Sequence, residues 1–386
     1  MRYVERFLSV FLVGLFTLIS GARAGQGDIK DVDLATDRLN RSELCGECHS
    51  DIYGAWEGSI HARSFSGSIF QAALEEATDD RGHQARQLCL SCHAPAVLVN
   101  GDWEVKKAVT REGVGCDFCH SVKSVDLTRR PMPFDVELGG VKRGPFDYLE
   151  STAHETAYSP LHKSSPLLCA ACHEYVNDQG VAVLSTYTEW VSGPYPALGV
   201  SCQDCHMAIV PGERVRSGLS TDPDTRLINV HRLVGGSSLS QLRRGLDATL
   251  REVGRKRGEV EVVIEVRNVA AGHMVPTGLP AKQVKLELVA RQGDRKVYSD
   301  ERVYARTLLD GKGRRPRTDA GVFMDSAKAP SDTRLAPKEV RIERFRFPAP
   351  PGEIQFSARL LYQYRPFASD RGVEETIREL EGAVAP

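Results

Sequence analysis

Most of the usual markers of partner and compartment are missing from this chain. Its 50 Lys and Arg are matched by 51 Asp and Glu for a formal charge of −1, so the basic footprint of a nucleic-acid binder is excluded. Beyond Ile19 no apolar run approaches the ~20 residues that a bilayer span requires, and no stable membrane span is expected. The first cysteine after the N-terminal apolar run is Cys45, so no acylation site follows that run directly. From Gly25 to about Gly236 periodic hydrophobicity is sparse while Gly, Ser, Pro and charge are plentiful, a texture that gives little core of its own. Histidine is scarce, at 11 of 386 positions.

What the chain does have is concentrated. Its ten cysteines form five copies of one pattern: CGECH (Cys45, Cys48, His49), CLSCH (Cys89, Cys92, His93), CDFCH (Cys116, Cys119, His120), CAACH (Cys169, Cys172, His173) and CQDCH (Cys202, Cys205, His206). CxxCH is the haem c attachment signal. Two thiols separated by two residues add across the two vinyl groups of one porphyrin, and the adjoining histidine gives an imidazole nitrogen to iron. A thioredoxin-like CxxC needs no histidine, and a zinc site needs a second CxxC or a histidine pair at finger spacing. A disulfide framework suits an even cysteine count in an exported chain, but it gives no reason for a histidine after every pair. Five covalent haem c groups are therefore expected, with His49, His93, His120, His173 and His206 as proximal ligands.

The N terminus carries Arg2 and Arg6 ahead of an apolar run from Phe7 to Ile19, then Ala22 and Ala24. This is the layout of a secretory signal peptide cleaved near Ala24, which predicts a periplasmic, secreted or cell-surface protein. Each haem adds two propionates, so the loaded protein is more acidic than its composition and suits a basic redox partner.

A second axial ligand decides whether a haem iron only carries electrons or also binds a substrate. His61 sits among aromatic and small residues in WEGSIHARS. His154 and His162 lie just ahead of the fourth motif, and His231 has apolar neighbours in LINVHRLVGG. His273 stands in NVAAGHMVPTGLP, a loop stiffened by Gly and Pro. These five are the candidate distal ligands; His83, in the polar stretch EEATDDRGHQARQ, is left out as an exposed side chain.

After Ser238 the texture changes. Leu239, Leu242, Leu246, Leu250 and Val253 follow a helical stripe and predict a connecting helix. Beyond it Val260 to Val266, Val284 to Leu288 and Ile354 to Tyr362 alternate with polar neighbours, the pattern of antiparallel strands, and a short helix is expected near Val373 to Leu380. The fold class predicted is mixed: a mainly α, loop-rich multihaem domain over 25–236, a connecting helix over 237–255, and an all-β immunoglobulin/fibronectin-like sandwich over 256–386, after a signal peptide over 1–24.

WEGSIHARS, CLSCHAP, GVGCDFCHSV, SPLHKSSPLLCAACH and VHRLVGG resemble the multihaem cytochromes c related to cytochrome c554, over most of Cys45 to Gly236. The resemblance implies stacked bis-histidine haems, with second ligands at His61, His154, His162, His231 and His273. It also implies a periplasmic or cell-surface redox role, and the function expected is electron transfer between a quinol-linked donor and a terminal reductase or outer-membrane conduit. The chain lacks the CxxCK site of pentahaem nitrite reductases. Two further readings stay open: a reductase in which one five-coordinate haem acts on a small nitrogen or sulfur compound, and a homo-oligomer joined through sandwich edges.

Overall fold

The computed structural model describes residues 33–129, 132–146, 151, 153–216, 219, 226–348, 350–369 and 372–386; the expected signal peptide lies outside them. Up to His206 the backbone is built on the helices α1 (Ser42–Gly46), α2 (Ser50–Glu57), α3 (Ser68–His93), α4 (Cys116–Ser121), α5 (Leu167–His173), α6 (Thr186–Val191) and α7 (Cys202–His206), with loops and short two-stranded ladders between them. Only α3 departs from the short helices expected. It runs for 26 residues and breaks at Gly82, where φ is 65°, a conformation that a Cβ would oppose. The apolar clusters of this region are small, one formed by Leu74, Leu90, Ala94, Val97 and Val105 and another by Leu39, Ala96, Phe118 and Val122.

The connecting helix is shorter than the leucine stripe predicts. Helix α8 (Leu239–Gly245) stops at Gly245, and Leu246–Lys256 is strand β1. Leu246, Ala248 and Leu250 also alternate, and pairing with β2 (Glu259–Asn268) sets Leu246 opposite Asn268 and Ala248 opposite Val266. Leu246 and Ala248 thereby enter the sandwich core, so ladder and burial decide between two periods that share residues.

The remaining elements are β3 (Lys282–Gln292), β4 (Arg295–Tyr304), β5 (Arg306–Asp310), α9 (Asp319–Asp325), β6 (Ser326–Asp332), β7 (Val340–Pro348), β8 (Ile354–Tyr364) and β9 (Val373–Val384). Two antiparallel sheets form, ordered β7-β2-β1 and β4-β3-β8-β9. The helix expected near Val373 is instead β9, paired along β8 from Tyr364 opposite Val373 to Ile354 opposite Val384. Its Glu, Arg and Leu favour a helix locally, but an open sheet edge and the burial of Ile377 and Val384 override that preference. Val284, Leu286, Leu288 and Ala290 of β3 and Ile354, Phe356, Ala358 and Leu360 of β8 meet Val260, Val262, Ile264, Phe345 and Phe347 of the facing sheet in one buried cluster. Each large apolar side chain so buried contributes ~1.5–3 kcal/mol.

Between β4 and β7 the chain leaves the sandwich and grips the cysteine-bearing region. Leu308 and Val322 cluster with Val181 and Val183, Ala320 packs with Ala77 and Ala85 of α3, and Arg81 meets Asp325 at 2.5 Å. Deeper in the joint, Arg334 and Glu189 of α6 form an ion pair at 2.6 Å with side-chain exposures of 4% and 6%. Glu189 also accepts from Ser185 Oγ at 2.7 Å and Thr277 Oγ1 at 2.6 Å, and Arg334 donates to Pro276 O at 3.2 Å. The loop carrying His273 is thus tied to α6 through side chains removed from water.

Arg334→Ala leaves Glu189 buried without its partner, and denaturant unfolding of the loaded protein should register a loss of about 3–5 kcal/mol. The double variant Arg334→Met, Glu189→Leu should recover most of it, because two apolar groups leave no stranded charge. At the face between α9 and α3, burial and then the Glu76 carboxylate push the Asp319 carboxyl from 3.8 up to about 6. The fold binds that proton more tightly than the unfolded chain does, so this contribution is full below pH 3.8 and is lost as pH rises through 6. Thermal melts should therefore show Asp319→Asn gaining on the native protein across that window and no such gain below it.

Candidate haem-binding cavity

Each motif uses the helical turn. On a helix, residues i, i+3 and i+4 share one face, so both thiols and the imidazole of CxxCH project to one side. The second motif closes α3, the third opens α4, the fourth ends α5 and the fifth fills α7. Ser201 and Asp204 cap α7 reciprocally. The first motif straddles α1 and α2, with His49 at the N-cap of α2.

All ten cysteines and every histidine except His83 line one connected cavity of about 1990 Å³. A single ligand pocket holds ~300–1,000 Å³, so the space suits several large groups. The ten cysteines are free of disulfides. Burial pushes the Cys89 and Cys119 thiols up to about 12, which keeps them protonated rather than poised as thiolate metal ligands. Cys45 and Cys116 hydrogen-bond to one another, as do Cys169 and Cys202. Attachment points of the first and third motifs, and of the fourth and fifth, therefore touch.

The imidazoles are held by their far nitrogens. Nδ1 donates to a backbone carbonyl in His49 (Arg214 O, 2.6 Å), His93 (Ser64 O, 3.0 Å), His120 (Arg143 O, 2.5 Å) and His206 (Val234 O, 2.8 Å). The same holds for His154 (Glu155 O, 3.0 Å), His231 (Asn229 O, 2.6 Å) and His273 (Met274 O, 2.8 Å). A carbonyl only accepts, so Nδ1 carries the proton and Nε2 keeps a lone pair for a metal. Burial lowers His173 to about 3 and His61 and His231 to about 4, so these three are neutral at pH 7 as ligation requires. His61 Nδ1 is buried without a hydrogen-bond partner.

Distances sort the rings into pairs. Two imidazoles bound to one metal at about 2.0–2.1 Å, each ring centre ~1.1 Å behind its nitrogen, have centroids about 6.2 Å apart. The centroids are separated by 6.2 Å in His49 and His154, 6.2 Å in His61 and His173, 6.3 Å in His120 and His231, and 6.4 Å in His206 and His273. His93 has another neighbour: Phe70 stacks on its ring at 3.9 Å. His162 lines the same cavity but has protein partners on both nitrogens. It lies 5.5 Å from His120, but its Nε2 donates to Cys119 O at 2.9 Å and its Nδ1 meets Ser159 Oγ at 2.8 Å. Both of its nitrogens are thus engaged by the protein. His83 is exposed and outside the cavity, as expected.

The donor set and the cavity fit haem c. The sequence reading missed the part of the wall that comes from the sandwich and its insertion. Lys282, Asp319, Phe323, Met324 and Tyr364 all line the cavity, yet Lys282 and Tyr364 are simply the first and last residues of β3 and β8. Nothing in their local pattern distinguishes them.

Residues 44–121 match the family described as cytochrome c554 and c-prime. No curated protein sequence matches the chain. Among solved structures, the penta-heme cytochrome c552 from Thermochromatium tepidum superposes with a TM-score of 0.73 at 22% identity, covering 90% of this chain and 100% of that one. A β-glucosidase from Kluyveromyces marxianus overlaps 36% of this chain and 15% of its own, at 11% identity and a TM-score of 0.15, too low to bear on the fold. Residues 44–121 are thus similar to the cytochrome c554 and c-prime family, and the chain shares the fold of a penta-heme cytochrome c.

Proposed function

We propose that the protein is an exported electron carrier with five covalent haem c groups, four held between paired imidazoles and the fifth by His93 alone. The observation that carries this reading is the recurrence of a 6.2–6.4 Å imidazole spacing. The pairs are His49 with His154, His173 with His61, His120 with His231, and His206 with His273. Bound haem c supplies one-electron exchange at iron, with little rearrangement where two nitrogens complete the coordination. The chain's own work is to hold seven of these nine imidazoles by their Nδ1–H and to keep rings such as His61, His173 and His231 neutral by burial. It also brings attachment cysteines of different motifs into contact, so that centres lie close together. The C-terminal region is read as a sandwich of the immunoglobulin/fibronectin kind. Among the described residues no helix is long and apolar enough to cross a membrane. The N-terminal signal layout and the acidity that propionates add favour a periplasmic or cell-surface role between a quinol-linked donor and a basic acceptor.

A second reading, reduction of a small nitrogen or sulfur compound, draws support from one observation. Among the described residues no imidazole is paired with His93 as the other four are paired.

Electron paramagnetic resonance of the oxidised loaded protein, integrated against total haem, should give four low-spin irons and one high-spin iron. His231→Ala should convert one low-spin iron to high spin, whereas His162→Ala should leave the count unchanged. Five low-spin irons, or a response to His162 and none to His231, would refute the assignment.

A further inference from the structure

We infer that Lys282 of the sandwich takes a propionate of the haem attached at the fourth motif as its counter-charge and raises the midpoint potential of the iron held between His173 and His61. The inference deepens the electron-carrier reading and rests on it, since those two imidazoles must share one iron.

Lys282 opens β3 and stands opposite Tyr364, the last residue of β8, in the ladder between the two strands. Its Nζ lies 5.8 Å from the centre of the Tyr364 ring. The loop that carries His273 closes over it: Gly278 takes a φ of 89°, and a Cβ there would stand 3.3 Å from Nζ. Protein surrounds the ammonium and burial depresses its pKa, yet the residue keeps accessible surface because it lines the haem cavity. Among the described residues Nζ makes no ion pair or hydrogen bond. It lies within electrostatic reach of the His173 imidazole, whose ring centre is 6.2 Å from that of His61.

An ammonium withdrawn from water without a counter-charge is unfavourable. Each haem brings two carboxylates into this cavity, and one of them supplies what the chain does not. The other pairs are balanced differently. Asp117 acts on His120, and Glu189 and Arg334 both act on His273, whereas the leading charged group besides histidine at His173 is Lys282. On taking one electron from the donor side, Fe(III) becomes Fe(II) and the centre loses one unit of positive charge. A neighbouring cation favours that form, and it also cancels a carboxylate that would favour Fe(III), so both effects raise the potential. Over ~10 Å at an effective dielectric of ~20, one unit charge shifts an equilibrium by roughly tenfold. Cys169 and Cys202 of the fourth and fifth motifs touch, so the sandwich that offers His273 to one centre tunes the centre beside it.

The test is a redox titration of the loaded protein followed by electron paramagnetic resonance, with each low-spin iron read by its own signal. The signal lost in His61→Ala identifies the iron held by His173. In Lys282→Met and Lys282→Gln that signal should titrate at lower potential, by about tenfold in the ratio of reduced to oxidised iron, or ~59 mV for one electron. Lys285→Met removes the same charge from the same strand, where Glu301 pairs with it at 3.1 Å, and should leave every potential unchanged. An unchanged potential for the His61-dependent iron in both Lys282 variants overturns the inference. So does an equal shift in Lys285→Met, a larger shift at any other iron, or a shift in Lys282→Met that Lys282→Gln lacks, because charge is then not the agent. If His61→Ala abolishes no low-spin signal, the pairing of His61 with His173 fails and takes the inference with it; if it abolishes one that ignores Lys282, the pairing stands and the inference alone falls.

Discussion

An imidazole offers a metal one nitrogen, and everything in the cysteine-bearing region follows from fixing the other. Carbonyls of Arg214, Ser64, Arg143 and Val234 receive the Nδ1 protons of four motif histidines. None of these carbonyls lies within the motif that it serves. Loops that look shapeless in sequence are therefore constrained to bring one backbone oxygen to one ring. That requirement explains why this region has order without a core of its own, since its apolar clusters are small and separate.

The sandwich works under the opposite physics. Its two sheets share one large apolar cluster, and its strands need no prosthetic group to satisfy their backbone. A self-sufficient body is thus joined to one that depends on what it binds. The joint is made with a buried ion pair, Arg334 with Glu189, and with an insertion that reaches across to α3. Since an ion pair out of water adds little net stability against a well-packed apolar substitute, geometry is the better account of it. It fixes the His273 loop relative to α6.

How much could be read from the sequence depended on the distance over which each feature is determined. CxxCH is decided within five residues, and the alternation of Val284, Leu286 and Leu288 within a strand, so both were legible. Leu246 to Val253 satisfies two periods at once, and only the partner strand β2 chooses between them. Val373 to Leu380 has helical composition and becomes a strand because β8 offers an edge. The pairing of imidazoles is longer-ranged still: His49 meets His154, and His120 meets His231, across more than a hundred residues. His162, close to a motif and buried, had every local mark of a ligand. The carbonyl of Cys119 that its Nε2 meets lies 43 residues away, beyond any local pattern. Lys282 and Asp319 were invisible because a strand end and a helix start look alike wherever they occur.

The proposed loan of His273 by the sandwich would also order the protein's biogenesis. A chain is made from its N terminus, so the fifth motif is complete well before the residue that pairs with His206 exists, and the loop bearing it is held by Arg334, made later still. Under that pairing, coordination at the centre would be finished only when the last body has folded and docked. On the proposed pairing, a chain truncated before the sandwich would keep all five attachment motifs and hold two irons without a second imidazole, those of His93 and His206, where the whole chain holds one.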